Sequence, residues 1–141
     1  MTPRDTSTGD VLEQMVVPAL KRGGYGVKRQ VHIGERPGGR KHNVDVVATN
    51  KEGMNFLISM KWQQVSGTAE QKVPFEVICL IKALKNNGGR YSKAYLVLGG
   101  NGWTLREFYV RGGLSDYLKD SGLVEIITLE SFVAKANQGK L

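Results

Sequence analysis

Two residues of opposite charge, Asp45 and Lys61, lie in the stretch His42 to Gln64, HNVDVVATNKEGMNFLISMKWQQ, which reads as two strands joined by a tight polar turn. Alternation along the second strand puts Phe56, Ile58, Met60 and Trp62 on one face and Leu57, Ser59, Lys61 and Gln63 on the other. With the turn at Lys51, Glu52 and Gly53, antiparallel pairing sets Asp45 opposite Ser59 and diagonal to Lys61, within side-chain reach. An acid, an ammonium, a hydroxyl and a carboxamide then share a mostly polar surface, while the other face is core. Structurally this can be a cross-strand salt bridge, worth little if exposed. Chemically, a carboxylate can hold a divalent cation and an ammonium can offset charge building on a phosphate.

An Asp on one strand with a Lys about a strand later on its neighbour resembles the PD-(D/E)XK nuclease superfamily, in which a carboxylate triplet holds Mg²⁺ and a lysine handles the attacking water. The matching positions are Asp45 for the first acid and Ser59-Met60-Lys61 for the (D/E)XK tripeptide. Val44 stands where the motif's name has Pro, and Ser59 where the second acid belongs. The resemblance implies Asp45 as the principal ligand of Mg²⁺, with Mn²⁺ as a substitute. It implies further ligation by the backbone carbonyl of Met60 and by Glu13, and a Lys61 that orients or deprotonates the nucleophilic water. Ser59 is left to hydrogen-bond a metal-bound water, and Gln63 to ligate through its side-chain oxygen. Such a site carries fewer charges than usual, so it binds metal weakly or relies on substrate phosphate oxygens.

These strands must be held by the rest of a 141-residue chain, the length of one domain spanning 1–141. Its 20 Lys and Arg against 13 Asp and Glu give a formal charge of +7, which makes a polyanion the expected partner, or else marks a soluble protein that is merely basic. The single cysteine, Cys79, sits in an apolar run and reads as core filler in a reducing compartment. The opening MTPRDTSTGD has no apolar signal stretch and no run reaches the length of a membrane span, so a cytoplasmic, non-secreted protein is expected.

Ahead of the two strands, Asp10 to Lys21 reads as a helix with Leu12, Met15, Val16, Ala19 and Leu20 on one face and Gly23-Gly24 as its stop. Glu13 follows Asp10 at capping-box spacing. Resolvases and restriction-type members of the resembled superfamily instead turn a first-helix glutamate into the metal site, and both readings of Glu13 stay open. Tyr25 to Gly34 reads as a strand, and the glycine-rich loop to Lys41 offers Arg36, Arg40 and Lys41 as a phosphate-gripping arm. His42 is placed near the scissile phosphate or on the surface. After Lys61, Thr68-Ala69-Glu70-Gln71 has capping-box spacing, with the regular helix starting there or at Pro74 and carrying Phe75, Ile78, Ile81 and Leu84 as its apolar positions. The resemblance implies that Gln71 or Lys72 reaches the site or DNA; by their own pattern they are cap and surface. Ala94 to Leu98 is a buried strand, Gly99 to Gly102 a turn or a weak nucleotide-binding candidate, Thr104 to Lys119 a helix interrupted at Gly112-Gly113, Val124 to Leu129 a strand, and Thr128 the cap of a last helix through Ala136.

This order predicts an α/β fold with a central mixed sheet of about five strands flanked by helices. It is also the core order of the restriction-endonuclease-like fold. The resemblance therefore implies an endonuclease cutting duplex DNA in the manner of restriction or homing enzymes, or a structure-selective Holliday junction resolvase, either as a homodimer or larger homo-oligomer. A catalytically weak or inactive DNA-binding module is the alternative that Ser59 keeps open.

Overall fold

A computed structural model describes residues 6–141, with side chains from residue 9 onward; the first five residues of the polar opening lie outside the described residues. The chain opens with α1 (Thr6–Val11), one π-helical turn (Leu12–Val16) and α2 (Val17–Arg22). Of the predicted face Leu12, Val16, Ala19 and Leu20 are buried, whereas Met15 is 40% exposed. Because α1 starts at Thr6, Asp10 stands inside a helix and cannot be its cap, which removes the capping-box reading of Glu13. Pro18 lies in the first turn of α2, where its missing N–H is tolerated.

Five strands follow in spatial order β1 (Gly26–Glu35), β2 (Lys41–Thr49), β3 (Asn55–Trp62), β4 (Tyr91–Gly99) and β5 (Val124–Thr128). The first three pair antiparallel and the last three parallel, so the sheet is mixed, as the element order predicts. The parallel pairs need crossovers. One is α3 (Ala69–Asn86); the other contains α4 (Arg106–Val110) and two 3₁₀ turns, and α5 (Leu129–Asn137) ends the fold. The expected long helix from Thr104 to Lys119 is thus broken into short turns, starting at Gly112 with φ of 86°. Thr128 caps α5 by accepting a hydrogen bond from Ser131 N at 3.2 Å.

The sheet is buried on both faces. Phe56, Ile58 and Met60 join the α2 and α5 core around Tyr95 and Phe132, while Leu57 joins the α3 core around Val77 and Leu80. The face carrying Ser59 and Gln63 is therefore not an open polar surface: α3 lies over it, leaving these two side chains 4% and 6% exposed. The β1–β2 hairpin changes faces part-way. Val27, Val46 and Ala48 pack toward α2 and α5, whereas Val31, Ile33 and Val44 pack toward α3. The changeover falls at Gln30, a non-glycine residue with φ of 50°, and at Asp45.

Helix α3 runs through Pro74 rather than starting at it. A proline leaves the carbonyl four residues earlier without a donor. Here that carbonyl belongs to Glu70, and the Tyr109 hydroxyl donates to it at 2.9 Å. The segment Gly99 to Gly102 is no phosphate cradle. A Cβ on Gly100 would stand 2.4 Å from the Gln63 carbonyl oxygen, and one on Gly102 2.5 Å from Val65 backbone, so glycine is needed for close chain packing. Among the described residues no helix is long and apolar enough to cross a membrane.

Candidate active site

Strands β2 and β3 pair from Thr49 and Asn55 to Val46 and Ile58, and then part. Asp45 is the next residue along β2. At the parting, Met60 N–H donates to Asp45 Oδ2 at 2.8 Å, which fixes the carboxylate between the two strands. Burial pushes the Asp45 carboxyl above its usual range; the Met60 N–H and the Lys61 ammonium oppose this, and the negative charge of Glu76 adds to it.

Glu76 was not singled out in the sequence, yet it is the hub of the cluster. It projects from the second turn of α3, 4% exposed, onto the face of β3 that carries Ser59 and Lys61. Ser59 Oγ donates to its Oε2 at 2.9 Å and Arg36 Nη1 to its Oε1 at 3.0 Å, while Lys61 Nζ lies 3.9 Å from Oε1. His42 Nε2 is 3.7 Å from Oε2, beyond hydrogen-bonding reach. Burial alone would raise this carboxyl, but His42, Lys61 and Arg36 outweigh it and hold Glu76 down at about 2. An acid missing from the (D/E)XK position in β3 is thus supplied to the same place from α3. The signal was present. Val73, Val77, Leu80 and Ala83 form the true buried stripe, and a glutamate among them is a charge at a core position. Taking Phe75 as inward put the helix in the wrong phase, for Phe75 is 48% exposed.

The other expected site residues divide. Lys61 joins the cluster with its ammonium partly exposed. Ser59 is buried on Glu76 rather than open to water. His42, expected at a scissile phosphate or on the surface, is 1% exposed beneath α3 and cannot touch DNA from there. Gln63 is a correction too: its Oε1 accepts from Ala69 N at 3.0 Å and its Nε2 donates to Gly102 O at 2.8 Å. Both ends of the carboxamide are spent stitching the turn after β3 to the start of α3, leaving no oxygen aimed at a cation. Met60 packs its side chain into the core and gives its N–H to Asp45. Glu13 forms an ion pair with Arg29 on β1 and is largely exposed. Arg36 turns inward to Glu76, whereas Arg40, Lys41 and Lys72 remain exposed around the same end of the sheet.

Two carboxylates and a lysine converge where the strands part. Among the described residues no cage of three or more His, Cys, Asp and Glu is formed. Still, the charge of Glu76 disfavours ionisation of Asp45, and the oxygens of these two carboxyls suit a hard divalent ion that takes its remaining ligands from water and substrate. Cavities of about 560 Å³ and about 450 Å³ lie beside α4, and neither is lined by Asp45, Lys61 or Glu76.

No curated protein sequence matches the chain significantly. Among solved structures it is similar to a protein of unknown function, at 12% identity and TM-score 0.47, covering 80% of this chain and 54% of that one. It is also similar to a repair endonuclease from Pyrococcus abyssi, at 16% identity and TM-score 0.43, covering 89% of this chain and 46% of that one. The chain thus spans about half the length of these structures. Residues 4–140 match the PD-(D/E)XK nuclease superfamily domain, a span that takes in both parted strands, the lysine and the helix bearing Glu76. Strand order, the Asp45 and Lys61 positions and this match agree, and the chain belongs to the PD-(D/E)XK nuclease superfamily.

Proposed function

We propose that this chain is a Mg²⁺-dependent DNA endonuclease that hydrolyses phosphodiester bonds, with Mn²⁺ able to replace Mg²⁺. The observation that carries the reading is the convergence of Asp45, Glu76 and Lys61 at the parting of β2 and β3 in a chain of a nuclease superfamily. Asp45 and Glu76 would hold the cation, with the Met60 backbone carbonyl as a further candidate ligand. A bound divalent ion supplies Lewis acidity toward the phosphate and lowers the pKa of a water. Lys61 orients the attacking water and offsets charge gathering on the phosphate oxygens. Asp45 is held by the Met60 N–H on Oδ2, which leaves Oδ1 as the oxygen to ligate the cation. Exposed Arg40, Lys41 and Lys72 grip flanking phosphates by charge, which fixes register without reading sequence. Glu13, paired with Arg29 at the rim, is a second candidate carboxylate.

The substrate best suited to this basic site is duplex DNA cut by a homodimer, since two strands need two sites, with a four-way junction as the rival. Supercoiled plasmid, linear duplex and a four-way junction incubated with Mg²⁺, Mn²⁺ or EDTA distinguish these substrates. Metal-dependent cutting lost in Asp45→Ala and Lys61→Ala supports the enzyme. Tight binding with no cutting under either metal means an inactive DNA-binding module, the reading that the missing (D/E)XK acid favours.

A further inference from the structure

The two oxygens of Glu76 face different surroundings. Oε2 meets groups carried on strands and sealed from water: the Ser59 hydroxyl at 2.9 Å, and the ring of His42, which is 1% exposed. Oε1 meets two long cationic side chains that are partly open to solvent, Arg36 at 26% and Lys61 at 28% exposure. Rigid buried donors anchor, and flexible half-exposed ones can be displaced.

His42 is the unexplained member. Both of its ring nitrogens lack a hydrogen-bond partner among the described residues, although the ring is almost wholly buried. A buried imidazole left unpaired is costly, so it should have an acceptor within reach. The acceptor at hand is Glu76 Oε2, 3.7 Å from Nε2, about 0.7 Å beyond an ordinary ~3.0 Å hydrogen bond. The Ser59 hydroxyl already sits on the same oxygen.

We propose that His42 is a positioning residue: as the Nε2–H tautomer it joins Ser59 in clamping Oε2 of Glu76, so that Oε1 is the oxygen released from Arg36 and Lys61 to an incoming cation. The consequence for cation binding rests on the nuclease reading; the clamp itself does not. A neutral imidazole that is Nε2–H donates to Glu76 and leaves Nδ1 as an acceptor. No bond is made or broken by His42, and its effect passes through the direction in which Glu76 points.

Two measurements test this. Long-range ¹⁵N–¹H spectra of the full chain without metal report the tautomer of His42: an Nε2–H form whose shift changes in Ser59→Ala and in Glu76→Gln is expected, and an Nδ1–H form with a bare Nε2 overturns the clamp whether or not the protein cuts DNA. Calorimetric Mn²⁺ titration reports the consequence. His42→Leu should weaken binding about tenfold or more and His42→Gln, which keeps a donor, should recover most of it, while Arg36→Ala should tighten binding. Wild-type Mn²⁺ affinity in His42→Leu overturns the proposal. Should His42→Leu fail to fold, Ser59→Ala carries the same expectation, and unchanged affinity there has the same meaning. A wild-type chain that binds no Mn²⁺ defeats the proposed function and the released oxygen together, leaving the tautomer to decide the clamp.

Discussion

The hydroxyl of Ser59 on β3 donates to the carboxylate of Glu76 on α3 at 2.9 Å. The residue that occupies the second acid's place in the sequence motif therefore holds, in space, an acid delivered by the neighbouring helix. A serine is small enough to leave room for that carboxylate and polar enough to bond it; the arrangement keeps two acids and one lysine at the parting of β2 and β3.

Restoring the motif alone should accordingly harm the protein. Ser59→Glu forces a second carboxylate into a site that is 4% exposed and already holds one, so like-charge repulsion and overpacking should lower stability by roughly 2–4 kcal/mol. Combining it with Glu76→Ala should recover much of that loss. Chemical denaturation of the single and double variants measures the coupling, and additive losses would mean that the two positions do not share one space.

The depressed carboxyl of Glu76 sets an acid limit. Its folded pKa of about 2 lies below the ordinary 4.5, so its contribution is fully present above pH 4.5 and is lost as pH falls toward 2. The shift corresponds to roughly 3 kcal/mol. Equilibrium unfolding across pH 2 to 6 should show wild-type stability declining through this window more steeply than that of Glu76→Gln, which has no carboxyl to titrate there.

Asp45 runs the other way. Burial raises its folded pKa above the unfolded value, so the folded state favours the protonated acid, and stability falls as pH rises through the two values. At neutral pH Asp45→Asn should raise the melting temperature measured without divalent metal, and should lower DNA cutting measured with Mg²⁺ by about 10²-fold or more. Calorimetric scans with and without Mg²⁺ give the check: the metal should stabilise wild type and not Asp45→Asn.

Gln63 should behave as structure. Gln63→Ala leaves Ala69 N and Gly102 O without their partner, a loss of about 1–3 kcal/mol. Mg²⁺ affinity below the melting transition should be unchanged; a loss of affinity with stability intact would return Gln63 to the ligand set.

Much of this was legible before any coordinates. Period-two alternation located β3, turn residues fixed its register against β2, and the element order gave a mixed five-stranded sheet. Asp45 and Lys61 could be read because strand pairing is local and its geometry regular. Glu76 escaped because its role depends on how α3 is rotated over the sheet, and Ile78, Ile81 and Leu84 made a second stripe plausible on a helix whose apolar residues nearly encircle it. His42 and Gln63 escaped for a related reason. Whether a polar strand residue meets water or the underside of a crossover helix is decided by packing between distant segments, which alternation does not encode. The hairpin's change of face at Gln30 and Asp45 breaks the alternation itself.

The most direct test of a single site built from three elements is the rate of Mg²⁺-dependent plasmid cleavage by Asp45→Asn, Lys61→Ala, Glu76→Gln and the triple variant. If the three groups act as one unit, each single substitution should lose about 10²-fold or more and the triple should fall little further than the worst single. Cleavage by Glu76→Gln at the wild-type rate, or persistent Mg²⁺-dependent cutting by the triple variant, would contradict the account.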